Sequence, residues 1–311
     1  NLTQLDGEYD LNFSLDAEQA AVLKVMRAGC EESFIDLQCR ALAHLSEYAP
    51  SLPVPKVIPT LGGDSFCYVK GPDGEPRIIW LQEKIAGKTY AHFKPKNLSL
   101  IHNIGSVVGS LDKAWLGFDH PVLERDFKWN LMKATWVGDE HSVIQDASRR
   151  DLIGEIHYQY LQLMPQLMNL DQQAVHNDVN DYNIIVKGSL TQQASVAGLI
   201  DLGDMCASPR VCNLAIAAAY IVLDQSQPEL ALETLISGYH VENPLTADEL
   251  DMLWPLLRMR FAVSVVNSSL MAKQNPDDAY VTISQQAAWA FLETNTINHE
   301  LLSTRLKVAC N

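Results

Sequence analysis

The sequence predicts an α+β fold of two lobes: a small N-terminal lobe with an antiparallel sheet plus one helix, and a larger, mainly helical C-terminal lobe. Strand-like runs separated by turn residues fill most of residues 1–87, whereas apolar residues at helical spacing dominate residues 88–311. The length of 311 residues suits about two domains, at roughly 150 residues per domain. We place the boundary at Gly87, as a hinge between the lobes.

The N-terminal lobe is predicted to contain two strands, one helix and two further strands. The apolar run AAVLKVM is typical of a strand, and the turn sequence Gly71–Gly74 joins the last two strands as a hairpin. The helix has apolar side chains every three or four residues and acidic residues in its first turn. Prolines from Pro50 to Pro59 indicate an extended connector after it. The predicted elements are strands within 13–26, a helix at 31–48 and strands at 66–70 and 77–85.

The C-terminal lobe is predicted to be helical except for one strand pair. Ile101, Ile104, Val108 and Leu111 show the spacing of an amphipathic helix, and similar spacing recurs in later segments of the lobe. The predicted helices span 98–116, 149–170, 211–223, 229–238, 246–267 and 282–294, and the predicted strands span 183–187 and 196–202.

The composition excludes several classes of protein. Hydrophobic residues make up 47% and charged residues 20% of the chain, a globular mixture that is not typical of a disordered chain, a collagen or a coiled coil. With 23 Lys and Arg against 38 Asp and Glu, the formal charge is −15. This acidity argues against a nucleic-acid partner, because binding to phosphates needs a basic face. It is compatible with a cationic substrate or with solubility alone.

The cysteines and the N-terminal sequence predict a cytoplasmic protein. None of the six cysteines forms a CxxC pair or a zinc-ligand spacing, so we expect reduced thiols in a reducing compartment. Acidic residues near the N-terminus do not suit a signal peptide, and the uncharged helical run 211–223 is too short to span a membrane. Because the chain begins with Asn1 and not Met, we also expect an excerpt of a longer polypeptide.

Two polar clusters flank the predicted strand pair. The sequence HNDVNDYN occupies 176–183, and GLIDLGD occupies 198–204. Asp178 could orient a hydroxyl and accept its proton, while Asn183 and Asp201 offer the oxygen ligands that Mg²⁺ prefers. Phosphoryl transfer from a nucleotide requires such a set of groups, and the hairpin between the clusters would bring them together.

Each of these pieces also has a purely structural interpretation. An Asp-x4-Asn spacing is common in loops, and an Asp after an apolar strand often caps a turn or a helix. We interpret His176 as a hydrogen-bonding residue of the loop and not as a catalyst. The order of the pieces, with a nucleotide-lobe pattern upstream, favours the catalytic interpretation of the others.

The N-terminal lobe supplies candidate nucleotide contacts. Lys24 lies in an otherwise apolar strand, so it either extends to solvent from an exposed face or points at phosphates in a cleft, as the β3 lysine of kinases does. The segment LDGEYDLNF at 5–13 would cover the phosphates, with Gly7 as its single glycine. Glu83 and Ile85, at the end of the last strand, would offer backbone groups to the base.

These residues resemble the aminoglycoside phosphotransferase and choline kinase superfamily, whose members have a kinase-like fold and act on small molecules. Within it, HNDVNDYN, GLIDLGDM and VCNLAIAAAYIVL are most similar to the hydroxylysine kinase branch. The stretches 117–121, 125–131 and 275–284 are similar to bacterial kinase domains that are fused to class III aminotransferase domains. The resemblance runs nearly end to end and implies a two-lobed, protein-kinase-like fold.

The resemblance also implies roles for single residues. Asp178 is implied as the catalytic base, Asn183 and Asp201 as Mg²⁺ ligands, and Lys24 as the contact to the phosphates of ATP or GTP. One departure from the family pattern is Leu202, which replaces an aromatic residue after the metal-binding Asp. This is a packing change that leaves the chemistry intact.

A second departure concerns the partner of Lys24. The helix position that should pair with it is Gln38, where the family pattern has a glutamate. An amide can accept a hydrogen bond from the lysine but supplies no charge. Either Glu31, Glu32 or Asp36 pairs with Lys24 instead, or the pair is weaker.

The acceptor site is implied to lie between the catalytic loop and the C-terminal helices. Asp204 could meet a substrate ammonium, and Arg258 could pair with a substrate carboxylate in bidentate fashion. Each acceptor candidate is also compatible with ordinary packing or with bridging between helices. The acceptor candidates are Asp204, Tyr182, Trp129, Arg258 and Tyr280.

The sequence therefore predicts a kinase that transfers the γ-phosphate of ATP or GTP, with Mg²⁺, to a hydroxyl of a small amine or amino acid of the hydroxylysine or amino-alcohol type. One alternative keeps this chemistry with homoserine, choline, a sugar or an aminoglycoside as the acceptor. Another is a nucleotide-binding pseudokinase that regulates a larger fusion protein, which Gln38 and the single Gly7 support. No feature supports a nucleic-acid or membrane partner, and a fused aminotransferase domain is a further predicted partner.

Overall fold

The structure, a computed structural model, describes residues 2–5, 10–16, 20–189, 192–223, 225–274, 280–294 and 297–310, with side chains from residue 285 onward in the sixth segment. Strands dominate as far as Thr89 and helices dominate the rest, which confirms the predicted α+β class. The strands are β1 (Leu2–Leu5), β2 (Leu11–Leu15), β3 (Ala21–Val25), β4 (Val57–Ile58), β5 (Phe66–Lys70), β6 (Pro76–Glu83), β7 (Lys88–Thr89), β8 (Gln173–Val175), β9 (Ile184–Ser189), β10 (Gln192–Leu199) and β11 (Cys206–Ser208). The helices are α1 (Glu32–Tyr48), α2 (Leu98–Ala114), α3 (Val137–Glu140), α4 (Ala147–Leu167), α5 (Arg210–Ile221), α6 (Pro228–Glu242), α7 (Ala247–Gln274), α8 (Tyr280–Thr294) and α9 (His299–Ala309).

The first six strands form one antiparallel sheet. Its order is β1-β2-β3-β6-β4, and β5 also pairs with β6. In the register of β3 and β6, Lys24 lies opposite Trp80 in the middle of the sheet. The predicted β5–β6 hairpin is confirmed, because Gly74 takes the positive φ of 88° that its turn requires. Strands β1 and β4 were not predicted, since β1 is exposed along its length and β4 has two residues.

A second sheet begins directly after Gly87. Strand β7 pairs with β9, which in turn pairs with β10, so the chain leaves the first sheet and joins strands from the middle of the sequence. Gly87 has a φ of 156°, and a Cβ built there would lie 2.6 Å from Ile185 Cγ2 and from the Val186 carbonyl oxygen. No larger residue fits without a shift of β9. The division of the chain into two lobes at Gly87 stays a prediction.

Helices α2 and α6 pack against each other through glycines. A Cβ built on Gly105 would lie 2.0 Å from the Leu235 carbonyl oxygen, and one on Gly238 would lie 2.1 Å from the His102 carbonyl oxygen. The two backbones are therefore in direct contact. Helix α5 packs against α7, α6, α2 and strand β8, and most of its residues are buried.

Several remaining elements were not predicted, because the periodicity of apolar residues is a weak signal in short segments. The two-stranded sheet of β8 and β11 and the series of 3₁₀ turns around α3 were not predicted, since runs of three to six residues show little periodicity. Helix α9 was not predicted either; its buried apolar residues are Leu302 and Leu306. The other predicted helices are present with shifted ends. Among the described residues, no helix has the length and apolar character needed to cross a membrane.

Candidate active site

The loop at 176–183, between β8 and β9, is folded around the carboxylate of Asp178. Its Oδ2 accepts hydrogen bonds of 2.8 Å from the side-chain amides of Asn180 and Asn183. The Asn183 amide also donates to the Asp178 carbonyl at 2.9 Å. With the Asp-x4-Asn spacing, the Asn183 amide reaches back to the Asp178 carboxylate and closes the loop.

Asp201 follows the end of β10 and faces Lys24 of β3 across the cleft between the N-terminal sheet and the helices. The Lys24 Nζ and Asp201 Oδ1 atoms are 3.1 Å apart, and the ammonium lowers the pKa of Asp201. The Asp201 side chain is 53% exposed, so a ligand in the cleft can reach it. Its φ of 67° lies in the left-handed region, and such backbone strain is typical of functional loops.

His176 ties the 176–183 loop to the residue that follows β10 and precedes Asp201. The buried imidazole donates from Nε2 to the Ile200 carbonyl at 3.0 Å and accepts at Nδ1 from the Asp178 N–H at 3.3 Å. This pattern requires a neutral ring, and burial lowers the pKa of His176 accordingly. These contacts agree with the structural interpretation of His176 and set the two polar clusters side by side.

Asn177 is supported by a buried chain of polar groups. Its N–H donates to Asn213 Oδ1 of α5 at 2.9 Å, and Asn213 Nδ2 donates to Asp112 Oδ1 of α2 at 2.8 Å. The Tyr239 hydroxyl of α6 donates to Asp112 Oδ2 at 2.8 Å. Burial raises the pKa of Asp112 to about 7. This Asp112–Asn213 chain holds Asn177, whose φ is 63°, directly before the predicted base.

Arg260 of α7 is the charged residue that packs against Asp178. Its Nη2 lies 3.2 Å from Asp178 Oδ1 and 3.2 Å from the Tyr220 hydroxyl oxygen. The guanidinium also lies 4.7 Å from the centroid of the Trp129 ring. Sequence reasoning missed Arg260 and selected Arg258, although an arginine inside the apolar run MRFAV was the available signal.

Asp204 is half-buried at the same end of the cleft. Burial, together with the nearby carboxylates of Asp178 and Asp201, raises its pKa to about 7, and the guanidinium groups of Arg260 and Arg125 oppose this rise. A carboxyl with such a pKa is suited to meeting a cation, because a cation stabilises its charged form.

Six of the predicted site residues line one cleft. Its volume is about 850 Å³, within the range of pockets that bind small molecules and cofactors. It lies between the N-terminal sheet with α1 and the loops of the helical part. The predicted residues that line it are Lys24, Gln38, Trp129, Asp178, Asp201 and Asp204.

The donor set fits the Mg²⁺ that the resemblance implies. Mg²⁺ prefers oxygen ligands and is commonly held by one or two protein groups together with phosphates. The amide nitrogen of Asn183 is committed to Asp178, so its Oδ1 is the atom left for a cation. Asp201 adds an exposed carboxylate. Within the described residues, no group of three or more His, Cys, Asp or Glu could hold a metal, so the phosphates would have to supply further ligands.

The similarity to known proteins decides the family. The sequence model of the phosphotransferase enzyme family matches residues 2–250. The chain belongs to this family. Hydroxylysine kinase of Danio rerio is 26% identical over 290 residues, which are 89% of this chain and 81% of that protein.

Two solved structures show the same fold as this phosphotransferase. An amicoumacin kinase in complex with AMP-PNP and Ca²⁺ has a TM-score of 0.72 at 13% identity, over 97% of this chain and 91% of the other. A microcompartment-associated aminopropanol kinase has a TM-score of 0.67 at 18% identity, over 100% of this chain and 90% of the other. The predicted kinase-like fold and the predicted phosphotransferase class are confirmed.

In this phosphotransferase, Gln38 does not pair with Lys24. Its Nε2 donates to the Phe34 carbonyl of its own helix at 3.3 Å, and its side chain is buried. Among the described contacts, the ion pair of Lys24 is the one with Asp201. The expected lysine–helix pair is therefore replaced by a pair across the cleft.

The three acidic residues expected as alternative partners of Lys24 bind other residues instead. Contacts of this region also hold α1 in place. His120 donates to Asp36 at 3.2 Å, and His44 Nε2 lies 2.9 Å from the Ala114 carbonyl oxygen, so α1 is attached to the segments after and at the end of α2. The helix thus has a fixed position without a bond to Lys24. The partners are Ser33 for Glu31, Tyr68 for Glu32, and Arg40 with His120 for Asp36.

In residues 83–85, which are expected to contact the nucleotide base, two backbone N–H groups already form hydrogen bonds within the protein. The Glu83 N–H donates to the Lys56 carbonyl at 2.8 Å, and the Lys84 N–H donates to the Ala20 carbonyl at 3.0 Å. The Glu83 N–H therefore already has a partner within the protein. The Ile85 backbone and the carbonyl groups of the segment stay as predicted contacts to the base.

Several other predicted residues lie away from the cleft or outside the description. Arg258 points to α4, where it donates to Gln159 Oε1 at 2.8 Å, so the structure does not bring it to the acceptor side. Tyr182 is 54% exposed and contacts His92 edge-on. Gly7 lies outside the described residues, and Tyr280 is described only as the first residue of α8.

Proposed function

We propose that this phosphotransferase transfers the γ-phosphoryl group of ATP or GTP, with Mg²⁺, to a hydroxyl of a small amine or amino acid of the hydroxylysine or amino-alcohol type. One observation carries the proposal. The Lys24–Asp201 pair and the Asp178–Asn183 pair line or border the same cleft, at the same end of the β9–β10 strand pair, where Leu199 lies opposite Ile184. Phosphate contact, metal ligands and base are thereby close together, as phosphoryl transfer requires.

The contacts support a proposed action for each group. Asp178 would accept a hydrogen bond from the acceptor hydroxyl and take its proton as the new oxygen–phosphorus bond forms. Two amide donors already occupy its Oδ2, whereas Oδ1 accepts the single bond from Arg260 and keeps a lone pair that would face the acceptor. Lys24 would exchange Asp201 for the phosphates. Asn183 and Asp201 would hold Mg²⁺, which neutralises phosphate charge when bound.

The acceptor end of the cleft suits a cationic group. Asp204 lines it beside Trp129, and an ammonium is attracted to a carboxylate. The names of two similar proteins, hydroxylysine kinase and aminopropanol kinase, are those of kinases for hydroxylated amines. These observations support an amine or amino acid over a neutral sugar.

The test is a panel of acceptors with the purified protein, Mg²⁺ and either ATP or GTP. The panel contains hydroxylysine, an amino alcohol, homoserine, choline, a sugar and an aminoglycoside. We expect phosphorylated product, measured by phosphorus NMR or mass spectrometry, with a hydroxylated amine or amino acid. As the matched control, Asp178→Asn should lower the rate by about 10²–10⁴-fold, the usual contribution of a general base.

The alternatives predict different results from the same panel. Transfer to choline, homoserine, a sugar or an aminoglycoside would keep the chemistry and correct the acceptor. Nucleotide binding by calorimetry without transfer to any acceptor would favour the pseudokinase and count against the proposal.

The proposal also includes the predicted aminotransferase partner. The resemblance to fused kinase domains supports it, and the complete gene product would decide it. A polypeptide with an aminotransferase domain beside these residues would agree with the prediction, and a kinase without one would contradict it.

A further inference from the structure

We infer that Arg260 is a positioning residue that fixes the carboxylate of Asp178 for phosphoryl transfer, an inference that rests on the proposed function. Its contact is direct: the 3.2 Å bond from Nη2 to Asp178 Oδ1 involves the oxygen that the two loop amides leave open. With both oxygens held, the carboxylate has one orientation before any acceptor arrives.

The surroundings of Arg260 keep its guanidinium in one place. The side chain is 3% exposed, and the guanidinium lies 4.7 Å from the Trp129 ring centroid and 5.6 Å from the Tyr220 ring centroid. Arg260 Nη2 also donates to the Tyr220 hydroxyl oxygen at 3.2 Å. Two aromatic faces and two hydrogen-bonding oxygens therefore define the position of the cation, which a flexible surface arginine would not have.

The cost of burying this arginine indicates that it serves the site. A buried charge is unfavourable unless it is paired, and each buried N–H without a partner also costs free energy. Nε and Nη1 of Arg260 are buried and have no hydrogen-bond partner among the described residues. The described hydrogen bonds of Arg260 therefore run through Nη2, to Asp178 and to Tyr220, and the ion pair with Asp178 is what compensates the buried charge.

The catalytic loop itself offers no substitute for this cation. The sequence HNDVNDYN contains no lysine or arginine, and its histidine is neutral and buried. Asp204 lies near Asp178 and is also attracted by Arg260. The guanidinium from α7 thus provides the positive charge next to two carboxylates that would repel each other.

The test compares Arg260 with a matched arginine on the same helix. Arg258 is also mostly buried but bonds to Gln159 on α4, away from the cleft. We would prepare Arg260→Met, Arg260→Lys and Arg258→Met, and measure kcat, KM for the nucleotide and the acceptor, the dissociation constant of the nucleotide and the melting temperature. The ratio of transfer to plain nucleotide hydrolysis is measured in the same assays.

The expected result is a loss in kcat of about 10²-fold for Arg260→Met, because misplacing a reacting group by ~1 Å can have this effect. The nucleotide dissociation constant should stay the same, hydrolysis should fall less than transfer, and Arg260→Lys should recover part of the rate. Arg258→Met should stay within about threefold of the wild type, since it touches no group of the site. Equal rates for Arg260→Met and Arg258→Met would overturn the inference, as would a loss confined to nucleotide binding.

A structural readout keeps the inference separate from the proposed function. If the wild type transfers phosphate to no acceptor, the proposed function fails, and crystal structures of the wild type and of Arg260→Lys still test the contact. We expect the Asp178 carboxylate to rotate in the variant. An unmoved carboxylate would show that the loop amides suffice and that Arg260 does not position it. Arg260→Lys serves here because it keeps the charge if Arg260→Met does not fold.

Discussion

Two of the carboxylates at the cleft, Asp178 and Asp201, are held in opposite ways. Asp178 accepts hydrogen bonds from two amides of its own loop and from a buried guanidinium, and its loop is supported from behind by buried groups. Asp201 is half-exposed, and its ion pair is with Lys24. Under the proposed function, the acceptor side is therefore preformed before binding, whereas the nucleotide side contains an ion pair that would have to separate to admit phosphates.

Because of this contrast, we expect substitutions at the two places to affect activity and the free energy of unfolding differently. An exposed ion pair contributes about 0–1 kcal/mol, so the Lys24–Asp201 pair matters little for folding. Loss of one partner from a buried polar chain costs about 1–3 kcal/mol, so the support behind Asn177 matters for both folding and catalysis. Variants at the two positions should therefore give opposite patterns.

The largest effect is expected at the nucleotide side. Lys24→Met should lower kcat by about 10²–10³-fold, as removal of a charge-stabilising donor from a preorganised site does. The free energy of unfolding should change by less than about 1 kcal/mol. Steady-state kinetics and urea unfolding measure the two quantities. Arg40→Met, which removes the exposed pair with Asp36, is the control, and a Lys24 variant with full activity would refute the assignment of the phosphate contact.

The next effect is expected behind the catalytic loop. Asn213→Ala removes the acceptor of the Asn177 N–H and a donor to Asp112. It should destabilise the protein by about 1–3 kcal/mol and lower kcat as well, in contrast to Lys24→Met. Urea unfolding and kinetics at one temperature check both. Unchanged stability would mean that the Asp112–Asn213 chain does not support the loop.

A pH dependence of stability is expected from Asp112. Its pKa is about 7 in the folded protein, against roughly 3.9 in an unfolded chain. The folded state therefore binds the proton more tightly between these values, and the contribution of Asp112 to stability falls as pH rises from about 4 to about 7. Asp112→Asn keeps an oxygen for Asn213 and a nitrogen that can donate to Tyr239.

Urea unfolding of the wild type and of Asp112→Asn at several pH values tests this sign. The difference between the two proteins should change by up to about 1.4 kcal/mol per pH unit in that window and level off above it. Because Asp204 is present in both proteins, the difference isolates Asp112. A constant difference across the window would show that Asp112 does not retain its proton.

The smallest effect is expected at Asn177. Its φ of 63° favours glycine, and both polar atoms of its side chain are buried without a described partner. Asn177→Gly should be neutral or slightly stabilising, whereas Asn177→Ala should destabilise by about 1 kcal/mol because alanine adopts the left-handed region less readily than asparagine or glycine. Thermal unfolding of the two variants checks the order, which would be reversed if the side chain, and not the backbone, mattered.

Features formed by residues close together in the sequence could be predicted, whereas contacts between residues far apart in the sequence could not. The β5–β6 hairpin follows from its turn sequence, and the Asp178–Asn183 contact follows from a spacing of five residues. Arg260 reaches Asp178 from 82 residues away, and Asn213 reaches Asp112 from 101. No periodicity reports which buried side chains of distant helices meet. Arg258 was selected by type and location, but a step of two residues along a helix changes the face.

The glycine contact between α2 and α6 has a consequence for the site, although neither glycine touches the cleft. Asp112 lies on α2 beyond Gly105, and Tyr239 directly follows Gly238 on α6. The backbone contact sets how far one helix can slide along the other. A slip of a single turn, about 5.4 Å, would carry the Tyr239 hydroxyl beyond the 2.8 Å reach of Asp112. Because Gly105 and Gly238 have no side chains, the two helices pack at the distance that the Tyr239–Asp112 bond needs. The glycines thereby affect the support of the 176–183 loop without any bond to it.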